Sequence, residues 1–217
     1  IWNSVKYTAV GTFINVILNI CAAYPLSKRN FKGQSLLMKL FTFTMFFSGG
    51  IVPTYILINK MHLIDSFWVM ILPSAIGTFN VILMRTYFQT NIPQELEDAA
   101  SVDGCTNFKF LIRIALPLSI PIIVVVALYY GVGHWNDYFT AMMYLTKRQL
   151  YPLQLVLREI LLENEAGKML NVATDAAYAE RMMSRMGLKY AVIVISTIPI
   201  LVIYPFVQKF FSKGVMV

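Results

Sequence analysis

The sequence predicts an all-α fold, a polytopic bundle of helices that span a membrane. Of its 217 residues, 58% are apolar or aromatic and 13% are charged, whereas ordinary soluble domains have about 45–50% and about 25%. The charged residues also leave five windows of 19 to 23 residues that contain no charge at all. Because a helix needs roughly 20 apolar residues to cross the hydrocarbon layer, each window is long enough to span it once. The predicted spans are residues 5–27, 39–59, 66–88, 115–136 and 188–210 of a single transmembrane domain over 1–217.

Glycine and proline residues interrupt these windows, among them Gly77, Pro121 and Pro199. Both residue types are commoner in membrane helices than in soluble ones, since neighbouring helices satisfy the freed backbone groups. We therefore expect kinked spans rather than loops at these positions. The connections between spans include a basic loop after the first span, a polar segment at 92–117 and a long external loop at 137–187.

The side of the membrane on which each connection lies follows from its lysine and arginine residues, because short cytoplasmic loops hold the excess. Long loops translocate largely regardless of charge, so the loop after Asn136 is set aside. Nine basic residues then fall on one side and two on the other. The side with nine is predicted to be cytoplasmic, and its basic residues are Lys28, Arg29, Lys32, Lys39, Arg85, Lys109, Arg113, Lys209 and Lys213.

The same counts argue against several other classes of protein. The net charge of +7 would suit nucleic acid, but cations beside spans are more simply topology signals. Cys21 in a span and Cys105 in a polar loop are too few for a disulfide framework. His62 and His134 have no partners at metal-ligand spacing, and no nucleophile motif is present. We therefore predict no metal site, no catalytic residue and no enzymatic activity.

The segment from Ile92 to Pro117 carries the strongest functional signal. It predicts two short helices separated by Gly104, which lets the backbone turn where a Cβ would obstruct it. Acidic residues suit the amide end of the first helix, and two adjacent alanines give one of its faces a low relief. That face holds Leu96, Ala99, Ala100 and Asp103, and the apolar side of the second helix holds Phe108, Leu111, Ile112 and Ala115. This knob either docks into a groove on a soluble partner or merely connects two spans at the interface.

A resemblance favours the docking interpretation. The pattern Asp98-Ala-Ala, three residues, Gly104, nine residues and Ile114-x-Leu-Pro117 resembles the EAA loop of the permease subunits of bacterial ATP-binding-cassette importers. The family usually has Glu where this chain has Asp98, which keeps the charge and shortens its reach by one methylene.

A narrower likeness covers nearly the whole chain. Three stretches resemble the carbohydrate-importer permeases, in the branch associated with oligosaccharides and polysaccharides in Gram-positive bacteria. They are Met45-Phe-Phe-Ser-Gly-Gly-Ile-Val-Pro-Thr-Tyr55, Gly133-His-Trp-Asn136 and Leu150-Tyr-Pro-Leu-Gln-Leu-Val-Leu-Arg-Glu159. The resemblance implies the MetI-like transmembrane fold, a multi-pass location in the bacterial cell membrane and one further span ahead of these five.

The resemblance also implies a mechanism. The chain would pair with a second homologous permease, an extracellular lipoprotein would deliver an oligosaccharide, and two cytosolic ATPases would drive the motion. No Gly-x-x-x-x-Gly-Lys-Ser/Thr loop is present, so ATP and Mg would be bound by the ATPases and no cofactor by this chain. The EAA loop would seat in a cleft on one ATPase and carry its movement to the spans. The coupling residues would be Glu95, Leu96, Asp98, Ala99, Ala100, Asp103, Gly104 and Phe108.

Polar side chains inside the spans are candidates for the substrate pathway. They are costly when they face lipid, so we expect them to point toward protein or a water-filled path. For the asparagines a helix–helix hydrogen bond is favoured over sugar contact. The aromatic faces and amides of 131–138 suit sugar, although the membrane-interface belt is the favoured interpretation of Trp135. The candidates are Asn15, Asn19, Asn80, Tyr130, Trp135 and Asn136.

The long external loop predicts a helix that lies on the bundle surface or contacts the substrate-binding protein. Its apolar face holds Leu153, Val156, Leu157, Ile160 and Leu161. Residues 181–187 predict the helical lead-in to the last span. The alternatives for the whole chain are a permease for a non-sugar solute, and a channel or membrane enzyme in which 92–117 is a connector.

Overall fold

The computed structural model describes residues 1–169 and positions 187, 190, 191, 193, 194, 196–199, 201, 202 and 205. As the sequence predicts, the described part of the chain is all-α. The helices are α1 (Trp2–Ser27), α2 (Gln34–Phe46), α3 (Ile51–Lys60), α4 (Thr78–Asn91), α5 (Gln94–Val102), α6 (Asn107–Phe110), α7 (Leu116–Leu118), α8 (Ile120–Asn136), α9 (Phe139–Tyr144) and α10 (Leu153–Met169). Short 3₁₀ turns lie at Phe67–Met70, Leu72–Ser74 and Arg148–Leu150, and a π-helical stretch, Leu111–Ala115, joins α6 to α7.

α1 lies at the centre of the bundle and packs against α4 and α8. Its outer face carries large apolar residues such as Phe13 and Ile17, and its buried face carries mostly small and polar ones. This is the reverse of a soluble helix, because lipid accepts apolar side chains while small residues let membrane helices approach closely. The buried residues are Ser4, Tyr7, Gly11, Asn15, Asn19, Ala23, Tyr24 and Leu26.

Three of the predicted spans are broken more sharply than a kink. α2 meets α3 at 113° near Gly50, the 3₁₀ turns meet α4 at 54° near Gly77, and the helical run Asn107–Leu118 meets α8 at 81° at Ser119. Gly50 has a φ of +83°, which glycine adopts without strain. Among the described residues α1 alone is long and apolar enough to cross a membrane unbroken, and up to four crossings result if each bent pair counts as one. The number of spans stays a prediction.

The described core consists of two apolar clusters at opposite ends of the bundle. One joins the last turns of α1 to α4, α8 and Phe110. The other joins Tyr7 near the start of α1 to α3, to the turn at Phe67–Met70, and to α9 and Leu155 of α10. The five residues of the predicted apolar face of α10 are half-buried, and Leu155, which lies off that face, is buried at 4% exposure. The tertiary position of α10, rather than its own periodicity, selects the buried side.

The last predicted span, 188–210, and its lead-in at 181–187 lie largely outside the described residues. One contact with a described position is present. The indole nitrogen of Trp135 donates a hydrogen bond of 2.9 Å to the carbonyl oxygen of Ser196. α8 is therefore tied to this part of the chain at residue 196.

Candidate coupling surface and pathway residues

α5 forms an exposed knob at the end of the bundle where α1 finishes. Within the described structure none of its nine residues is buried, and Leu96 and Val102 are 38% and 89% exposed. Ala99 is exposed as well, whereas Ala100 packs against the core. The predicted low-relief face is therefore divided, with Ala100 turned toward the bundle and the rest turned outward. Glu95, Asp98 and Asp103 are also exposed.

Local sequence accounts for the shape of this knob. Pro93 precedes the first turn of α5, where Glu95 and Glu97 meet the amide end of the helix. Gly104 ends the helix with a φ of +74°, and nothing lies within 4 Å of the place where a Cβ would stand. The backbone angle rather than crowding therefore requires glycine, which corrects the expectation that a Cβ would be obstructed. Thr106 then caps α6 by accepting a hydrogen bond of 3.4 Å from the amide of Lys109.

The second helix of the knob is anchored by Phe110, a residue that the sequence reasoning missed. Phe110 is 2% exposed, whereas Phe108 and Ile112 on the predicted apolar side are 71% and 49% exposed. Ala115 is buried as that prediction requires. The helix changes from α to π at Leu111–Ala115, so a single 3.6-residue pattern does not describe the whole segment. Phe108 is left on the surface of the knob.

The end of α1 is bound to three neighbouring elements at the base of this knob. The carbonyl oxygen of Leu26 accepts hydrogen bonds from Gln34 of α2 at 2.6 Å and from Arg85 of α4 at 2.8 Å. Lys28, the next residue but one, forms an ion pair with Glu97 of α5. The first and third connections therefore lie at the same end of the bundle, as the distribution of basic residues predicts.

Three of the predicted pathway residues bind one another or their neighbours inside the bundle. Asn15 and Asn19 are fully buried. The amide nitrogen of Asn19 donates to the hydroxyl oxygen of Tyr130 at 2.6 Å, and the amide of Gly77 donates to the same oxygen at 2.6 Å. These are the helix–helix hydrogen bonds that the sequence favours for the asparagines. As placed, Asn15, Asn19 and Tyr130 hold α1, α4 and α8 together, and their contact with substrate stays a prediction.

His134 completes this polar interior, and the sequence reasoning missed it. It is 5% exposed, and its Nε2 lies 3.0 Å from the amide nitrogen of Asn15. Gly11 of α1 faces the imidazole ring. A usable signal was present, because Gly11, Asn15 and Asn19 recur every four residues and mark one small and polar face of α1.

The remaining pathway candidates, Trp135, Asn80 and Asn136, lie in three different environments. Trp135 is 5% exposed, so its favoured assignment to the membrane-interface belt is wrong, because belt residues face the headgroups. Asn80 is half-buried, and its side-chain oxygen has no hydrogen-bond partner within the described structure. Asn136 is exposed at the end of α8 and donates to the carbonyl oxygen of Val132. The oxygen of Asn136 accepts from the side-chain amide of Gln154 at 3.5 Å, whereas the side-chain oxygens of Asn15 and Asn19, like that of Asn80, have no hydrogen-bond partner within the described structure.

The opposite end of the bundle is held by contacts between the start of α1 and the stretch that precedes α10. The side-chain amide of Asn3 donates to Gln149 and Tyr151, and the hydroxyl of Ser4 accepts from the amide of Leu153 at 2.7 Å. Asp65 accepts hydrogen bonds from the amides of Thr146 and Lys147. The external loop is therefore docked on the bundle as far as α10.

An apolar helical bundle that carries an exposed two-helix knob at one end has the architecture of a membrane transport permease. The chain belongs to the family of binding-protein-dependent transport system inner membrane components, whose family model matches residues 15–217. Its members are transport permeases, and its fold is the MetI-like permease fold.

The relatives and a solved structure agree with this assignment. The chain is 43% identical to the protein LplC of Bacillus subtilis (strain 168), covering 99% of this chain and 71% of the relative. It is 41% identical to the polygalacturonan/rhamnogalacturonan transport system permease protein YtcP of the same organism, covering 98% and 73%. A crystal structure of a bacterial ABC transporter involved in the import of the acidic polysaccharide alginate contains a similar chain, with a TM-score of 0.84, 31% identity and coverage of 96% and 73%.

Proposed function

We propose that this chain is a permease subunit of an ATP-driven importer of oligosaccharides in a bacterial plasma membrane. It forms half of the translocation pathway, and a second homologous permease forms the other half. Two cytosolic ATPase subunits bind ATP and Mg, and an extracellular lipoprotein delivers the sugar. The chain itself transmits movement and carries out no chemical step.

The observation that carries the coupling role is the exposure of α5. A helix that merely connects two spans gains stability by burying its apolar side chains. In α5, however, the side chains of Leu96 and Val102 are exposed on the surface of the described structure. Ala99 keeps the centre of the outward face low, so a partner groove can approach the helix backbone. Exposed acids at both ends of α5 supply polar contacts around that apolar centre. This arrangement suits a helix bound in a groove of a soluble ATPase.

The substrate class rests on the relatives. The permease YtcP is named for polygalacturonan and rhamnogalacturonan transport, and the solved neighbour belongs to an alginate importer. We extend saccharide import to this chain because both similarities cover nearly all of it. Fragments of acidic polysaccharides are the first substrates to test.

A charged substitution on the knob tests the coupling role. Ala99→Arg places a bulky cation on the exposed face of α5, where it has room to fold normally but blocks a close-fitting groove. We expect the variant permease to insert into the membrane as before. The amount of ATPase that co-purifies with it should fall about tenfold, which corresponds to a loss of about 1.4 kcal/mol of binding free energy. The measurement is co-purification from detergent-solubilised membranes, followed by sugar-stimulated ATP hydrolysis in proteoliposomes.

The matched control is Asn30→Arg, which adds the same charge to an exposed turn at the same end of the bundle. Gly104 is a poorer test site, because its positive φ makes any side chain strain the backbone. Equal ATPase recovery with Ala99→Arg and Asn30→Arg would contradict the docking role of α5. A complete assembly that hydrolyses ATP but responds to no saccharide would contradict the substrate class alone.

A further inference from the structure

The Lys28–Glu97 ion pair joins the knob to the central helix of the bundle. Lys28 follows the last residue of α1, and Glu97 lies in the first turn of α5. It is the one ion pair in the part of the chain that the structure describes. The side chains are 19% and 30% exposed, so the pair is partly shielded from water and salt.

The position of Lys28 is fixed by aromatic rings on both of the elements that it joins. Its ammonium group lies 4.4 Å from the centroid of the Tyr24 ring and 4.8 Å from that of Phe110. Tyr24 belongs to α1, and Phe110 belongs to the second helix of the knob. Ring faces attract cations, so the lysine is held between α1 and the knob even before Glu97 is considered. The hydroxyl of Tyr24 adds a hydrogen bond of 3.3 Å to the carbonyl oxygen of Asn107.

α5 has few other attachments to the bundle within the described structure. None of its residues is buried, and Ala100 is the one that packs against the core cluster. The end of α1, by contrast, is bound firmly through Leu26 to Gln34 and Arg85. Lys28 is the residue that joins α5 itself to the end of α1 by a charge contact, and the Asn15 and Asn19 network lies further along α1.

We propose that the Lys28–Glu97 pair is the link through which a moving coupling helix displaces α1. This proposal rests on the proposed function, since it needs an ATPase that moves α5. Lys28 and Glu97 are positioning residues, because they act through α1 and touch no substrate. A partly exposed pair contributes little to folding stability, so the link can be cut without unfolding the chain.

The test uses the complete transporter in proteoliposomes, with its second permease, ATPases and binding protein, and with oligogalacturonates and alginate oligosaccharides as probes. Lys28→Met keeps an apolar stem against both rings and removes the charge, and Glu97→Gln removes the partner charge. We expect ATPase co-purification to stay normal while sugar transported per ATP hydrolysed falls about fivefold, the lower end of typical coupling between sites. Lys28→Arg, which keeps the charge and the ring contacts, should retain the wild-type ratio.

Two further measurements separate this link from a general structural effect. The double variant Lys28→Met/Glu97→Gln should be no worse than either single variant, because the two residues act as one unit. Nucleotide binding to the wild-type assembly should alter hydrogen exchange at the end of α1, at residues 22–29, and Lys28→Met should abolish that response. Lys32→Met is the matched control, since Lys32 is an exposed lysine in the same connection.

The outcomes distinguish the link from the proposed function. Equal transport ratios for Lys28→Met and Lys32→Met, or additive losses in the double variant, would overturn the link while leaving the importer role intact. The same conclusion would follow if α1 of the wild-type assembly showed no response to nucleotide. A wild-type chain that brought down no ATPase would overturn the proposed function, and the link with it.

Discussion

Gly11 sets the distance at which α1 approaches α8. A Cβ at this position would lie 2.5 Å from Nε2 of His134, well inside van der Waals contact. The histidine cannot easily yield, because it is buried and its Nε2 also contacts the amide of Asn15. Because the side chain of Gly11 is a single hydrogen atom, the backbone of α1 can pack directly against the ring of His134.

Gly11→Ala should therefore destabilise the bundle by about 1–3 kcal/mol, the usual cost of overpacking a tight interior. Thermal unfolding of the purified chain in detergent measures the change. Gly133→Ala on α8 is the control, because nothing lies within 4 Å of its Cβ position and alanine suits a helix interior better than glycine. The clash predicts that Gly11→Ala/His134→Ala loses less stability than the sum of the single variants. Additive losses would show that the ring is not the obstacle.

Asp65 holds the external loop at the other end of the bundle. Its backbone is left-handed, with a φ of +57°, a conformation that Asp and Asn tolerate better than most residues. The hydroxyl of Thr146 donates to its carboxylate, as do the amides of Thr146 at 2.6 Å and Lys147 at 3.1 Å. These hydrogen bonds lower the pKa of the Asp65 carboxyl below its ordinary value, and the bond from the Thr146 hydroxyl makes the largest contribution.

A lowered folded-state pKa fixes the direction of the pH effect. The stabilisation is present above the unfolded-state pKa of about 3.9 and is lost as the pH falls through the lower folded-state pKa. We expect the amides of Thr146 and Lys147 to lose protection from hydrogen exchange as the pH is lowered from about 6 to about 3, after correction for intrinsic rates. Asp65→Asn keeps the backbone conformation but lacks the charge, so its protection should be low throughout this range. A parallel pH dependence in Asp65→Asn would assign the effect to another group.

At the scale of the element, local signals in the sequence are enough to predict the knob. Pro93, the acidic first turn and Gly104 each act within a few residues of where they stand, and α5 begins and ends where they place it. Phe110 and Lys28 are different, because Lys28 contacts Glu97 and the Phe110 ring in helices that are distant in sequence, and no local pattern encodes how those helices are oriented. The ends of α5 were therefore predictable from the sequence, and the side chains by which the knob attaches to the bundle were not.

The sequence predicts where the spans are interrupted, but it does not predict the angle of each bend. Gly77 and Pro121 mark places where a helix is weakened, and breaks occur close to both. Whether a weak place becomes a mild kink or an 81° bend depends on the neighbouring helices that satisfy the freed backbone groups. Composition likewise identifies polar residues inside spans but not their partners, so Trp135 was assigned to the wrong environment.

At the scale of the whole molecule, the bundle has two structurally different ends joined by α1. The ion pair of Lys28 with Glu97 marks one end, and the hydrogen bonds from Asn3 to Gln149 and Tyr151 mark the other. The polar network around Asn15 and Asn19 lies between them on the same helix. A movement that begins at the knob therefore meets the candidate pathway residues before it reaches the external loop.

This two-ended arrangement predicts which residues face each side of the membrane. Val102→Cys and Gln149→Cys, each made in a chain with Cys21→Ala and Cys105→Ser, place single exposed thiols at opposite ends. Because the basic residues of the first and third connections predict that the end with Lys28 is cytoplasmic, a membrane-impermeant maleimide should label Val102→Cys in inside-out vesicles and Gln149→Cys in right-side-out vesicles. Labelling of both thiols from one side would contradict the arrangement. Val102 lies on the surface that we propose docks the ATPase. Bound ATPase should therefore also protect Val102→Cys from the maleimide and leave Gln149→Cys reactive, so the same experiment reports both the orientation of the bundle and the side on which the ATPase binds.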